Sequence, residues 1–116
     1  MNALKNKVQL IGNLGMDPEV KRLENGRTFA RFSLATHESY VKSDGTKVED
    51  VQWHNVICWG KFGEHVGRYL KKGTRVLITG KLTSRDYEDK DGMKRKYVEI
   101  VMNEMLMLDN APAKAA

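Results

Sequence analysis

Residues Val51–Gly60 read VQWHNVICWG, and the rest of the chain is best read outward from them. The stretch holds no proline, no glycine before its last position, and many aromatic and β-branched side chains, which predicts a strand. Side chains alternate along a strand, so Trp53, Asn55, Ile57 and Trp59 share one face. Gln52, His54, Val56 and Cys58 share the other. Both tryptophans of the chain therefore fall on one face of one strand, roughly 20 Å apart at about 3.3 Å per residue. Indoles that far apart cannot stack on each other, but each can stack on something else. The plainer reading puts both in the core. Against it, Val56 and Cys58 give the opposite face a small apolar set suited to that role.

Upstream, Lys7–Leu14 alternates, with Val8, Leu10, Gly12 and Leu14 on one side and Lys7, Gln9, Ile11 and Asn13 on the other. This is a first strand, bent at Gly12. After a break at Asp17-Pro18, Glu19–Leu23 extends the same strand. Asn25-Gly26 predicts a tight type I′ hairpin turn. Arg27–His37 follows as the second strand, with Ala30, Phe32 and Leu34 toward a core and Phe29, Arg31, Ser33 and Ala35 away from it. Glu38–Glu49 is charged and contains Ser43-Asp44-Gly45. It predicts a long mobile hairpin loop with Tyr40 and Lys42 at its base.

Downstream the period changes. Phe62, Val66, Tyr69 and Leu70 fall on one helical face over 61–70, Gly63 and Gly67 weaken that helix, and Gly73 stands where a helix stop is expected. Arg75–Tyr87 returns to alternation, with Val76, Ile78, Gly80 and Leu82 on the core side. Arg75, Leu77, Thr79, Lys81, Thr83, Arg85 and Tyr87 lie opposite. A basic face ending in an aromatic suits a polyanion with planar bases; a solvated strand face reads the same way. Asp91-Gly92 marks another hairpin. In Tyr97–Leu108 the residues Val98, Ile100, Met102, Leu106 and Leu108 alternate, and Glu104 breaks the pattern, which predicts a bulge. Residues 109–116 form a short Ala/Pro tail expected to be disordered.

A chain of 116 residues makes one domain. A net charge of +5 points to an anionic partner. The single cysteine, Cys58, allows no internal disulfide, and there is no Cys/His cluster for zinc. Gly60-Lys61 and Gly80-Lys81 lack the spacing of a phosphate-binding loop. His54 and Cys58 stand roughly 13 Å apart along their strand, too far for a base and its nucleophile. No catalytic residue, metal or cofactor is expected. No apolar run reaches membrane-spanning length and the N-terminus carries no leader-like region, so the expected location is the cytoplasm.

Three strands, a helix and two more strands predict an all-β chain. Over residues 1–108 the pattern fits a five-stranded Greek-key barrel of the OB-fold type, with one helix between strands 3 and 4 and long protruding hairpins. Many functions use such a barrel, so function must be read from its faces.

Four segments carry a specific resemblance: NKVQLIGNLGMDPEV (6–20), NGRTFARFSLATHESY (25–40), WHNVICWGK (53–61) and YLKKGTRVLITGKLTSRDY (69–87). In order and register, from about residue 5 to 108, the chain resembles bacterial single-stranded DNA-binding proteins. The resemblance implies binding of single-stranded DNA without sequence preference, in replication, recombination and repair. Tyr40, Trp53, Trp59 and Tyr87 fall where such proteins place their stacking aromatics. Two of these positions are often Trp in the family and are Tyr here; Trp59 replaces a common Phe. Arg31, Lys61, Lys72, Lys81 and Arg85 become candidates for phosphate contacts, and Asp86 stands where a cation would be expected. His54, with Lys7 and Gln9, matches a subunit interface, and a homotetramer is implied. Family members commonly continue into a linker and a short acidic tip that recruits other proteins. This sequence ends NAPAKAA, as either a truncation or a naturally tailless member would, which leaves recruitment by such a tip open. Two other readings stay open: RNA as the bound strand, and an OB-fold interaction subunit of a replication or primosome assembly with weak nucleic-acid binding.

Overall fold

After a 3-10 turn at Ala3–Lys5, the hydrophobic alternation becomes six strands and one α-helix: β1 (Val8–Leu14), β2 (Glu19–Arg22), β3 (Thr28–Val41), β4 (Lys47–Trp59), α1 (Lys61–Tyr69), β5 (Arg75–Glu88) and β6 (Lys94–Met107). The structure, a computed structural model, describes residues 3–108. The tail expected over 109–116 lies outside the described residues.

The strands run β1-β5-β6-β4-β3-β2 across the sheet, and a β1–β3 pairing at Asn13↔Ala35 and Leu14↔Leu34 closes five of them into a barrel. All pairings are antiparallel except β4–β6, which touch at Val56↔Ile100 and Ile57↔Val101. This is the OB-fold barrel expected from the strand pattern, its helix leaving the end of β4. The inward set is Leu14, Ala30, Phe32, Leu34, Val56, Cys58, Val76, Ile78, Ile100 and Met102, with Val66 and Leu70 capping it from the helix side. Phe32, Leu34 and Val56 are fully buried, as a period-2 pattern facing one core requires. Gly12 sits where β1 leaves β5 for β3. A Cβ there would overlap the Ala35 carbonyl, so only glycine lets the two backbones meet.

Several details differ from the sequence reading. Glu19–Arg22 does not prolong β1 but pairs with β3, Val20 opposite Ala30. The turn at Asn25-Gly26 is not type I′. Only glycines have positive φ among the described residues, so Asn25 does not. Instead the Gly26 N–H donates to Leu23 O at 2.9 Å and the Leu23 N–H to Arg27 O at 2.7 Å, a type I turn followed by a left-handed glycine. The hairpins ending in Gly45 and Gly92 close in the same way.

The loop expected over Glu38–Glu49 shrinks to Lys42–Thr46, because β3 and β4 pair without a break out to Val41↔Lys47. Tyr40 and Lys42 stand at the foot of this shorter loop, which places Tyr40 near the tip of the ribbon. Tyr69, expected on the buried helical face, is 51% exposed. Gly73 does not stop the helix, which ends at Tyr69 with Leu70 as its cap; Gly73 belongs to the next turn, closed by Thr74 N–H to Lys71 O at 3.0 Å. Leu82 is 47% exposed, since β5 has by then run past β1, whose pairing with it stops at Val8↔Gly80.

The predicted bulge exists. The register jumps from Thr79↔Glu104 to Gly80↔Met102, leaving Asn103 as the extra residue. One extra residue reverses the alternation. Met105 packs on the core, while Leu106 and Leu108, expected inward, are exposed.

Two ribbons, β3–β4 and β5–β6, thus project from the barrel. The radius of gyration is 16.7 Å, against about 13 Å for a compact domain of this length.

Candidate nucleic-acid interface

The register places a set of side chains on one outer face. Arg31 pairs with Ile57, Ile57 with Val101 and Val101 with Lys81, so one transverse row crosses β3, β4, β6 and β5 with a cation at each end. Alternation from Ile57 carries Trp53, Asn55 and Trp59 onto this face. Alternation from Lys81 carries Arg85 and Tyr87 there, and alternation from Val101 carries Glu99 and Tyr97. Arg31, Lys81, Trp53, Trp59, Arg85 and Tyr87 therefore share a surface.

Trp53 is 62% exposed. Its ring lies over Gly15, where any Cβ would overlap it. Trp59 is half-buried. Its ring centroid is 5.1 Å from that of Phe29 at a tilt of 43°, and the Arg27 guanidinium carbon lies 4.5 Å from the indole centroid. Arg31 continues the series, 5.4 Å from the Phe29 centroid, and its Nε is buried without a hydrogen-bond partner. On the other ribbon Arg85 lies 5.0 Å from the Tyr97 centroid.

Beyond Ile57↔Val101 the two ribbons splay. A groove of about 310 Å³ opens between them, lined by Trp53, Asn55, Leu82, Lys96 and Val98, among others. The Asn55 amide donates to the Val98 carbonyl across it at 3.5 Å. Glu99 also lines the groove, and its Oε2 is buried without a partner. The groove is open, carries the cation of Lys96 with the rings of Trp53 and Tyr97, and is not an enclosed pocket for a small molecule. It accommodates an extended chain of planar groups better than a compact ligand.

The remaining candidates are dispersed. Tyr40 is 53% exposed, opposite Val48. It is an odd number of residues from Ala35, the partner of Trp53, so the unbroken register puts it on the other face of its ribbon. Lys61 is exposed and opens α1, two residues after Trp59. Lys72 lies in the turn before β5, where its backbone N–H donates to Asp17 Oδ1 at 2.8 Å. His54 is half-buried on the core side, its Nε2 3.0 Å from Thr36 Oγ1. Gln9 is exposed on β1 opposite Thr79, and Lys7, just before β1, lines a hollow with Lys81 beside the bulge.

Sequence reasoning missed Arg27, Tyr97 and the role of Phe29. Phe29 was legible as a residue facing away from the core. Its partnership with Trp59 needed the β3–β4 register, which turn geometry decides. Among the described residues no cluster of His, Cys, Asp and Glu could hold a metal, and no helix is long and apolar enough to cross a membrane.

Comparison with known proteins agrees with this geometry. Single-stranded DNA-binding protein of Neisseria meningitidis serogroup A is 48% identical over 103 residues, 89% of this chain and 59% of that protein. Single-stranded DNA-binding protein 1 of Xylella fastidiosa is 43% identical over 104 residues, covering 89% and 76%. The chain thus spans about three fifths of the length of the Neisseria relative. A chain solved as "Plasmodium falciparum SSB complex with ssDNA" superposes with a TM-score of 0.83 at 29% identity, over 90% of this chain and 95% of that one. Residues 5–108 match the single-strand binding protein family, and with the barrel, the aromatic face and these relatives agreeing, the chain belongs to that family.

Proposed function

We propose that the chain binds single-stranded DNA without sequence preference, by stacking bases on Trp53, Trp59, Tyr87 and Tyr40 while Arg31, Lys61, Lys72, Lys81 and Arg85 meet phosphates. The observation that carries this reading is the indole of Trp53, 62% exposed beside an open, cation-bearing groove. Most of that apolar ring faces water, and base–aromatic stacking needs no particular base. Protecting exposed strands in replication, recombination and repair follows from such binding, and the place of work is the cytoplasm with its nucleoid.

The protein acts without catalysis. Cys58, the one thiol, is buried with its pKa pushed up to about 11, chiefly by desolvation, which suits packing and not attack. Assembly is by copies of the same chain, up to a homotetramer. Beyond Gly12, toward its N-terminal end, β1 pairs on one side only, with β5. Its free edge and the exposed Lys7, Gln9 and Ile11 are available to a second copy; His54 contributes from β4.

The test is tryptophan fluorescence titration with oligo-dT, with duplex DNA as control, at several salt concentrations. Quenching by dT, weak response to duplex and a log–log salt slope of about −0.7 per neutralised phosphate are expected. If dT neither binds nor quenches, the aromatic face serves a protein contact instead.

A further inference from the structure

Trp59 is not an open platform. Phe29 packs against it at 5.1 Å, and the Arg27 guanidinium carbon lies 4.5 Å from its ring centroid. The place where a base would stack is occupied by an arginine of the same chain. Among the described residues no hydrogen bond or ion pair holds its side chain. Its backbone is fixed at the hairpin exit, where the Arg27 N–H donates to Asn25 Oδ1 at 2.9 Å and its carbonyl accepts from Leu23. Its side chain enters neither of the ion pairs found among the described residues. It is exposed and able to swing.

Building on the single-strand reading above, we propose that Arg27 is a movable cover on Trp59. In the free protein the guanidinium lies on the indole; a base entering the subsite lifts it and ends between the two, with the indole on one side and the guanidinium plane on the other. A guanidinium is flat, always charged and stacks on π faces, so it can cover either ring in turn. The ligand of this subsite is a nucleotide of a single strand, and both its base and its charge are needed. Arg31, laid on Phe29 at 5.4 Å with an unpartnered Nε, takes the charge of the adjoining phosphate.

The experiment uses a Trp53→Phe chain, in which Trp59 is the one remaining tryptophan. Arg27→Lys and Arg27→Ala are introduced into it. Each chain is titrated with oligo-dT and with an abasic deoxyoligonucleotide of equal phosphate number, following Trp59 emission and affinity. Trp59 emission of the parent should change with dT and not with the abasic strand, which binds through its phosphates alone. Both variants should lose about five- to tenfold in dT affinity, because lysine keeps the charge but not the plane. Arg27→Lys should bind the abasic strand as the parent does. Melting midpoints show that each variant folds.

If Arg27→Ala binds dT like the parent, or Arg27→Lys restores full affinity, the cover does not exist. The same follows if dT binds without changing Trp59 emission. If the unsubstituted chain does not bind dT at all, the single-strand reading itself fails, and this proposal falls with it.

Discussion

Gly67 and Val20 are fitted to each other: a Cβ on Gly67 would overlap Val20 Cγ2. The helix can therefore lie against β2 only because residue 67 has no side chain. Gly67→Ala should destabilise the fold by about 1–3 kcal/mol, the usual cost of overpacking, although alanine is the better helix former by about 1 kcal/mol. With Val20→Ala in the same chain the overlap disappears and the propensity gain should emerge. Denaturant unfolding of both singles and the double closes the cycle; additive effects would show that the two residues do not meet.

Trp53→Ala should weaken binding of oligo-dT by about 1–3 kcal/mol and leave the melting midpoint nearly unchanged, because its ring is mostly in water. Fluorescence anisotropy of labelled dT and a thermal melt of the same sample separate the two effects. A collapse of stability with unchanged affinity would mark Trp53 as a structural residue.

Cys58 gives an alkaline signature. Burial raises its pKa from 9.0 to about 11, so between those values the folded state keeps a proton that the unfolded state has lost. Stability from this group is complete below pH 9 and falls as pH rises toward about 11. Denaturant midpoints measured across that range should decline more steeply for the native sequence than for Cys58→Ala. A thiol reagent at neutral pH should label Cys58 only on unfolding.

The β5–β6 tip has an acid signature. Asp89 accepts from Arg95 Nε at 2.8 Å and from the Met93 and Asp91 N–H groups. Its carboxyl is lowered below 3.8, first by Arg95 and then by Met93. Order at the tip should be complete above the ordinary carboxylate range and be lost as pH falls through the lower folded value. Asp44 at the other tip is lowered by Thr46, with no cation involved. Salt should therefore loosen the Asp89 tip more than the Asp44 tip, read from amide exchange at Met93 and Thr46.

The core was written plainly in the chain, since Ala30-Phe32-Leu34 and Val56-Cys58 alternate without interruption and one face had to be dry. The helix was legible too, with the need for packing that Gly63 and Gly67 impose on it; what could not be read was the partners, since the two glycines are the points of contact with Ala30 and Val20. Strand ends were harder. Glu38–Val41 and Lys47–Glu49 mix polar and apolar side chains on both faces, so no burial pattern marks them as strand; they pair because the hairpin below them is already in register. At β6 the bulge was foreseen from Glu104, but its consequence for Leu106 and Leu108 depends on which residue is extra, and that is Asn103. Of the candidate interface, the exposed indole and the basic face of β5 could be read from alternation. The Arg27–Trp59–Phe29 cluster could not, because it joins residues about thirty positions apart.

The two arms that leave the barrel carry almost none of its core. A substitution in Tyr40–Glu49 or Arg85–Lys96 changes what the surface meets without changing what the interior holds. The barrel can thus stay constant while its reach and grip are retuned, and descendants of one ancestor can diverge in how they hold a strand long before they diverge in how they fold.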